Sequence, residues 1–228
     1  MNLTKNGKRG RVAFVHTIVF LLFAAPAMAQ DAPQMSYDGL VPVKGAKVQA
    51  YIDPNADFGV FRRVAILDPV VSFRSNWQRD QNRSRMRNVS ASDVERIKAD
   101  VAKLFKEVFK ERLEMNDGYA VVSEVGEDVL LLRPVVIDLD ITAPDTPSGG
   151  RTRTYTTTTG AATLYLEVLD SVSGDIIGRA VDRQVVRSPG STLSWSTSVT
   201  NAQDARRMFG RWADQLRGFL DQYYTPGD

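Results

Sequence analysis

The sequence of 228 residues contains no cysteine, and its only histidine is His16. The lack of cysteine excludes disulfide bonds, thiolate metal ligands and thiol chemistry. His16 lies in an N-terminal leader, so the chain beyond the leader has neither residue type. This absence excludes zinc sites built from His and Cys, haem ligation by His, and Ser-His or Cys-His nucleophiles. We therefore predict that the protein is not an enzyme and that it carries no cofactor and no metal.

The first 29 residues are typical of a secretory signal peptide. An apolar run covers residues 12–23, and the small-x-small pattern Ala27-Met28-Ala29 follows it. The basic residues that precede the run are Lys5, Lys8, Arg9 and Arg11. The run is too short to span a bilayer stably. We expect cleavage after Ala29, export to the periplasm or cell envelope, and no transmembrane helix in the mature chain.

The mature chain is predicted to be slightly acidic. The whole sequence has 29 Lys and Arg against 27 Asp and Glu. Cleavage of the leader removes four basic residues and no acidic ones. The mature chain then has 25 Lys and Arg against 27 Asp and Glu, a net charge of −2. Nucleic-acid binding relies on a surplus of cations, and we expect the protein to be exported. We therefore predict that it binds no nucleic acid.

Two segments have the 3.6-residue apolar period of amphipathic helices. The first begins at a capping box of Ser92 and Glu95 and ends before Gly118. Its apolar stripe consists of Val94, Ile97, Val101, Leu104, Phe105, Val108 and Leu113. The second begins at about Asn201, a good N-cap residue with Asp204 at its third position. Its apolar stripe consists of Ala205, Met208, Phe209, Trp212, Leu216, Phe219, Leu220 and Tyr223. Both stripes predict helices that pack on a sheet.

Branched and apolar residues predict strands at 63–71, 119–124 and 127–141, and then two strands joined by a turn at 171–174. Pro69 marks a frayed end or a bulge in the first strand. Alternation in the long strand predicts an apolar face and an acidic face: Val135, Ile137, Leu139 and Ile141 against Asp138 and Asp140. Alternation in the next strand separates two further sets: Leu164, Leu166 and Val168 against Thr163, Tyr165 and Glu167.

The order of these elements predicts an α/β (α+β) fold. We expect one mixed, largely antiparallel sheet of about five strands, with two helices packed on one face. The predicted organisation is a signal peptide at 1–29, an extended N-terminal arm at 30–56, a single α/β domain at 57–224 and a tail at 225–228.

The candidate site is the arginine-rich stretch at 73–88, FRSNWQRDQNRSRMRN. Such a cationic patch can bind an envelope protein or an anionic envelope surface. The candidate binding residues are Arg74, Trp77, Arg79, Arg83, Arg85 and Arg87. The alternative is a solvated connection in which Trp77 packs onto the domain and the arginines pair with acids such as Asp138 or Glu167.

A second candidate site is the aspartate pair of the long strand. Asp138 and Asp140 are two residues apart on a strand, which places their Cα atoms roughly 6 to 7 Å apart. With Asp145, that separation suits a calcium site or a carbohydrate-active enzyme. Alternating charge on the solvent face of a strand has the same pattern, so both interpretations stay open.

Several stretches resemble the bacterial family known as domain of unknown function 3313. They are YDGLVPVKGA, YIDPNADFGVFRRVAILDPVVSFRSNWQRDQNR, DVLLLRPVVIDLDITAPDTPSGGRTRTY, LYLEVLDSVSGDIIGRAVDR and TNAQDARRMFGRWADQLRGFLD. The resemblance implies an exported envelope protein of unknown activity, although the lipobox cysteine of many members is absent here. The strand pattern is also similar to small α/β domains of periplasmic assembly proteins, which bind partners. We predict a non-enzymatic binding or assembly module of the envelope.

Overall fold

The computed structural model describes residues 39–83, 88–141, 154–156, 158–187, 194–196 and 198–223. Three α-helices lie in these ranges: α1 (Trp77–Arg83), α2 (Ala91–Glu114) and α3 (Ser198–Leu220). The first five strands are β1 (Val41–Pro42), β2 (Gln49–Ile52), β3 (Arg63–Ile66), β4 (Val70–Phe73) and β5 (Ala120–Val122). The others are β6 (Val129–Ile141), β7 (Thr154–Thr156), β8 (Thr158–Asp170), β9 (Ile176–Arg187) and β10 (Ser194–Ser196).

Eight strands form one mixed sheet, which confirms the predicted α+β fold. The strand order is β1-β2-β9-β8-β6-β3-β5, with β4 also paired to β6, while β7 and β10 form a separate antiparallel pair. The pairs on the β1 side of β6 are antiparallel, and β3, β4 and β5 pair in parallel. The sheet has more strands than predicted, because the segment interpreted as an extended arm supplies β1 and β2 and the predicted strand at 63–71 is divided into β3 and β4.

The predicted strand at 63–71 is divided into two strands, β3 and β4, which pair with successive parts of β6. Ile66 pairs with Leu132 and Val70 pairs with Val135, so four steps on one side match three on the other. Pro69 lies within this extra length, where its missing N–H removes no bond from the ladder.

The two long helices bury their predicted stripes against one face of the sheet, except for Tyr223, which follows α3 and is 38% exposed. The core contains Phe105 and Phe109 of α2, which stack with ring centroids 4.0 Å apart, and Phe209 of α3, which meets Phe105 edge-on. The sheet contributes Leu164, Leu166 and Val168, as the alternation predicted. Each buried side chain of this size contributes about 1.5 to 3 kcal/mol from its removal from water.

The N-termini of both long helices differ from the prediction. The N-cap of α2 is Ser90, whose hydroxyl accepts from the backbone N–H of Asp93, while the Asp93 side chain accepts from the Ser90 backbone N–H. The sequence holds two overlapping capping patterns, and the one used places the buried Val89 just before the cap. The predicted Ser92–Glu95 box was therefore wrong. Helix α3 begins at Ser198, so Asn201 lies inside it.

A β-bulge at Asp138 reverses the two faces of β6. Asp138 has a φ of 53°, and the three steps from Ile137 to Asp140 face only two steps on β8. Leu139 and Ile141 therefore pack on the helix side, whereas Ile137 faces the other way with Val135. The prediction that these four residues share one face was wrong, because alternation assumes an uninterrupted strand.

Candidate functional site

Trp77 of the arginine-rich stretch lies in the core and is only 1% exposed. Its ring stacks on Phe73 with centroids 3.9 Å apart. Its indole Nε1 donates to the Ile141 carbonyl oxygen at 3.0 Å. The aromatic group of this stretch therefore anchors α1 to the end of the sheet and is not presented to a ligand at the surface.

Arg74 is held between two carboxylates. Its Nη1 donates to Asp80 Oδ2 and its Nε donates to Asp140 Oδ2, each at 2.8 Å. The hydrogen bond to Asp80, followed by the one to Asp140, raises the pKa of Arg74 above its ordinary value. The same bond from Arg74 holds the pKa of Asp80 below its ordinary value. The charge of Arg74 is thus balanced within the fold.

The remaining cations of the stretch divide into two groups. Arg79 and Arg83 are exposed on α1, and Arg83 Nη1 lies 4.0 Å from Asp80 Oδ1. Arg85 and Arg87 lie outside the described residues. The two ends of the segment between α1 and α2 are joined by Asn82, whose side chain accepts from the Val89 backbone N–H at 2.6 Å. Binding through these arginines stays a prediction.

The sheet face opposite α2 and α3 forms a second candidate surface, which we call the open face. Neighbouring residues on the same strands belong to the core, so alternation directs these side chains away from the helices. The open face consists of Val70, Arg133, Val135, Ile137, Thr163, Tyr165, Glu167, Arg179, Val181, Arg183 and Val185.

A cluster of charged side chains lies at the centre of the open face. Glu167 of β8 pairs directly with Arg133 of β6 and with Arg179 of β9. Arg133 Nε lies 2.6 Å from Glu167 Oε2, and Arg179 Nη2 lies 3.1 Å from Glu167 Oε1. The Arg179 guanidinium carbon lies 5.7 Å from the centroid of the Tyr165 ring. Two guanidinium groups share one carboxylate, so the cluster carries a net positive charge.

The open face also exposes apolar side chains. Val70 is 61% exposed and lies beside its register partner Val135. Ile137, two residues after Val135 on β6, is 36% exposed. Aromatic residues and arginine beside exposed aliphatic groups are the composition of protein–protein contact surfaces. Alternation along the sequence predicted that Tyr165 and Glu167 face away from the helices, but it did not predict the cluster, because Arg133 and Arg179 meet Glu167 through the strand register.

The aspartate pair of β6 is divided by the bulge. Asp138 is exposed in the left-handed backbone conformation, whereas Asp140 accepts from Arg74. Asp145 lies outside the described residues. Within the described ranges no group of three or more His, Cys, Asp or Glu side chains is placed to hold a metal ion.

Residues 29–216 match the model of a family described as "Protein of unknown function (DUF3313)". The chain belongs to this family. No curated protein matches the chain. Within the part of the chain that the structure describes, no helix has the length and apolarity that a membrane crossing requires.

Three solved structures illustrate what this DUF3313 protein is similar to. The PelC dodecamer from Paraburkholderia phytofirmans has 10% identity, a TM-score of 0.40, and coverage of 75% of this chain and 96% of that chain. Protein XCC0632 from Xanthomonas campestris has 11% identity, a TM-score of 0.43, and coverage of 79% and 94%. A neuraminyllactose-binding hemagglutinin homolog from Helicobacter pylori has 15% identity, a TM-score of 0.33, and coverage of 80% and 95%. Similarity at this level assigns no function.

Proposed function

We propose that this DUF3313 protein is an exported, non-enzymatic module that binds a partner protein of the cell envelope through its open face. The observation that carries the proposal is the open face itself. It combines a central arginine–glutamate–arginine cluster with exposed aliphatic side chains on neighbouring strands.

The charge of the open face favours an acidic partner surface. Its ionisable residues are three arginines and one glutamate, since Arg183 of β9 adds to the cluster around Glu167. Among the residues that the structure describes, Arg183 Nη1 donates to Thr163 Oγ1 alone, in a long bond of 3.4 Å, so the guanidinium keeps donors for a carboxylate on a partner. Charge complementarity of this kind sets orientation and association rate more than affinity.

The apolar part of the open face supplies the binding energy. Val70, Val135 and Ile137 are neighbours on β4 and β6, and each can lose exposed area when a partner docks. Burial of apolar surface contributes about 25 cal/mol per Å², before the cost of association. A partner that covers these side chains and meets Arg183 with a carboxylate matches both features.

The proposal of export rests on the leader. The basic residues, the apolar run and the small-x-small pattern support cleavage after Ala29. The protein recovered from the periplasmic fraction should have the mass of a chain that begins at Gln30. Recovery of the full-length chain from the cytoplasm alone would contradict export without bearing on the open face.

In-cell photo-crosslinking tests which surface binds. A photoreactive residue is placed at Ile137 on the open face, at Arg79 on α1, or at the exposed Lys110 on α2 as the control. We expect one discrete crosslinked product from position 137 and none from position 110. A product from position 79 alone would move the binding surface to the arginine-rich stretch. No specific product from either surface would contradict the binding-module proposal.

A further inference from the structure

A cavity of about 590 Å³ lies on the other side of the sheet from the open face. It is bounded by β2, β8 and β9, by α3, and by residues 43–48, which connect β1 to β2. Its volume falls within the range of roughly 300 to 1,000 Å³ that is typical of small-molecule sites.

The cavity exists because the sheet is wider than the two helices that cover it. Helix α3 packs on β8, and the floor beyond β8 includes the small residues Ala50, Gly178 and Ala180. Ala50 and Ala180 are direct register partners on β2 and β9. Small side chains at adjacent positions leave a depression where larger ones would close the gap between sheet and helix.

The walls of the cavity present mainly carbon. Phe58, Leu216 and Phe219 line it beside Trp212. The only polar atom of the Trp212 side chain is already used, because its Nε1 donates to Asp182 Oδ2 at 2.9 Å. Asp182 also accepts from the Gln184 amide. The interior therefore suits a hydrocarbon group.

The charged groups that border the cavity are not equivalent. Arg179 bonds to Glu167 on the open face, and Asp214 lies 3.5 Å from Arg112. The Asp182 carboxylate also borders the cavity and accepts from Trp212 and Gln184. In contrast, Lys44 and Lys47 are exposed on the connection from β1 to β2, and neither forms an ion pair within the ranges that the structure describes. These two ammonium groups give one side of the cavity rim a positive charge that no described carboxylate balances.

We propose that the cavity binds one acyl chain of an anionic amphiphile, with the headgroup at Lys44 and Lys47. The apolar walls remove the chain from water, and the lysines select a carboxylate or a phosphate over a cationic headgroup. A free fatty acid and a single-chain phospholipid share this chemistry. Each further methylene should increase the affinity by about fourfold until the cavity is full, as expected from the transfer of a CH₂ group out of water.

Calorimetric titration of the mature protein tests the proposal. The ligands are octanoate, decanoate and laurate, a lysophosphatidylglycerol with a twelve-carbon chain, and dodecyltrimethylammonium as the cationic counterpart, all below their micellar concentrations. We expect one site per chain, increasing affinity along the carboxylate series, and at least tenfold weaker binding of the cation. The relative affinities of laurate and the lysophospholipid identify which source of the shared chemistry the site prefers.

Three variants locate the binding in the cavity. Ala180→Phe fills the floor and should abolish binding, whereas Ala120→Phe on the exposed side of β5 should leave it unchanged. The double variant Lys44→Ser, Lys47→Ser should weaken laurate binding by about two- to tenfold, which is the range expected for exposed charge pairs. It should also reduce the difference in affinity between laurate and dodecyltrimethylammonium. If circular dichroism shows that Ala180→Phe does not fold, Ala50→Leu replaces it.

Three results would overturn the proposal. One is the absence of binding by any of the anionic ligands. Another is laurate binding of equal strength in wild type and in a folded Ala180→Phe variant. The third is a concentration-dependent dimer that Ala180→Phe dissociates and laurate does not affect, because a second copy of the chain would then occupy the cavity.

Discussion

Arg133 on β6 and Glu167 on β8 are direct register partners, and Arg133 Nε lies 2.6 Å from Glu167 Oε2. The same carboxylate also bonds to Arg179 on β9. The cluster therefore spans three adjacent strands in the middle of the sheet. It fixes the positions of two cations on a face that also exposes aliphatic side chains, which is what a preformed docking surface requires.

Removal of the shared carboxylate should destabilise the fold. The Glu167 side chain is only 13% exposed, and Glu167→Gln removes the negative charge that the neighbouring guanidinium groups of Arg133 and Arg179 share. We expect the free energy of unfolding in urea to fall by about 1 to 3 kcal/mol. Glu124→Gln is the matched control, because Glu124 pairs with Arg63 at 2.6 Å but is 66% exposed, and it should cost less than about 1 kcal/mol. Equal losses in the two variants would contradict the account.

The capping assignment of α2 can be tested with two serines. Ser90→Ala removes the hydroxyl that accepts from the Asp93 backbone N–H, and it should lower the unfolding free energy by about 1 kcal/mol. Ser92 is the second residue of the helix, so Ser92→Ala should change the unfolding free energy by less than about 0.5 kcal/mol. A larger loss from Ser92→Ala in the same urea titration would place the cap where the sequence pattern predicted it.

Trp77 should behave as a core residue. Trp77→Ala removes a buried ring and should cost about 3 to 5 kcal/mol of unfolding free energy. Trp77→Phe retains a ring beside Phe73 but loses the bond to the Ile141 carbonyl, so its cost should be intermediate. Arg79→Ala on the same helix is exposed and should change stability by less than about 0.5 kcal/mol. A Trp77→Ala variant as stable as wild type would contradict the core assignment.

The ion pair between Arg74 and Asp80 predicts a specific pH dependence. The hydrogen bond from Arg74 holds the pKa of Asp80 below its ordinary value of about 3.9. The folded state thus favours the ionised carboxylate, and this stabilisation is fully present above about pH 5 and declines as the pH falls below about 4. The stability difference between wild type and Asp80→Asn should follow the same course in urea titrations from pH 7 to pH 3. A difference that grows on acidification would contradict the assignment.

The period of apolar residues along the sequence predicted which faces of the two long helices and of β8 are buried. The stripes of α2 and α3, apart from the exposed Tyr223, pack in or against the core, and so do Leu164, Leu166 and Val168 as their alternation predicted. The reversal of faces in β6 could not be predicted in this way, because it depends on the backbone conformation of the single residue Asp138. The N-cap of α2 was ambiguous, since serine occupies both position 90 and position 92.

The candidate sites show the same division between local and long-range information. The sequence showed a cluster of arginines around Trp77, but not that the ring stacks on Phe73 or that Arg74 bridges Asp80 and Asp140. Residues 74 and 140 lie far apart in the chain, so their contact depends on how β4 pairs with β6. The open face is a product of register in the same sense, and composition alone does not reveal it.

The most direct test of the central claim is the yield of the crosslinked product from position 137 when the charge of the open face is reversed. Arg183→Glu replaces an exposed cation of the open face, and Lys110→Glu makes the same charge change on α2. We predict that Arg183→Glu reduces the yield at least tenfold while Lys110→Glu leaves it unchanged, with equal amounts of folded protein in each strain. An unchanged yield in Arg183→Glu, or an equal loss in both variants, would contradict docking of an acidic partner on the open face.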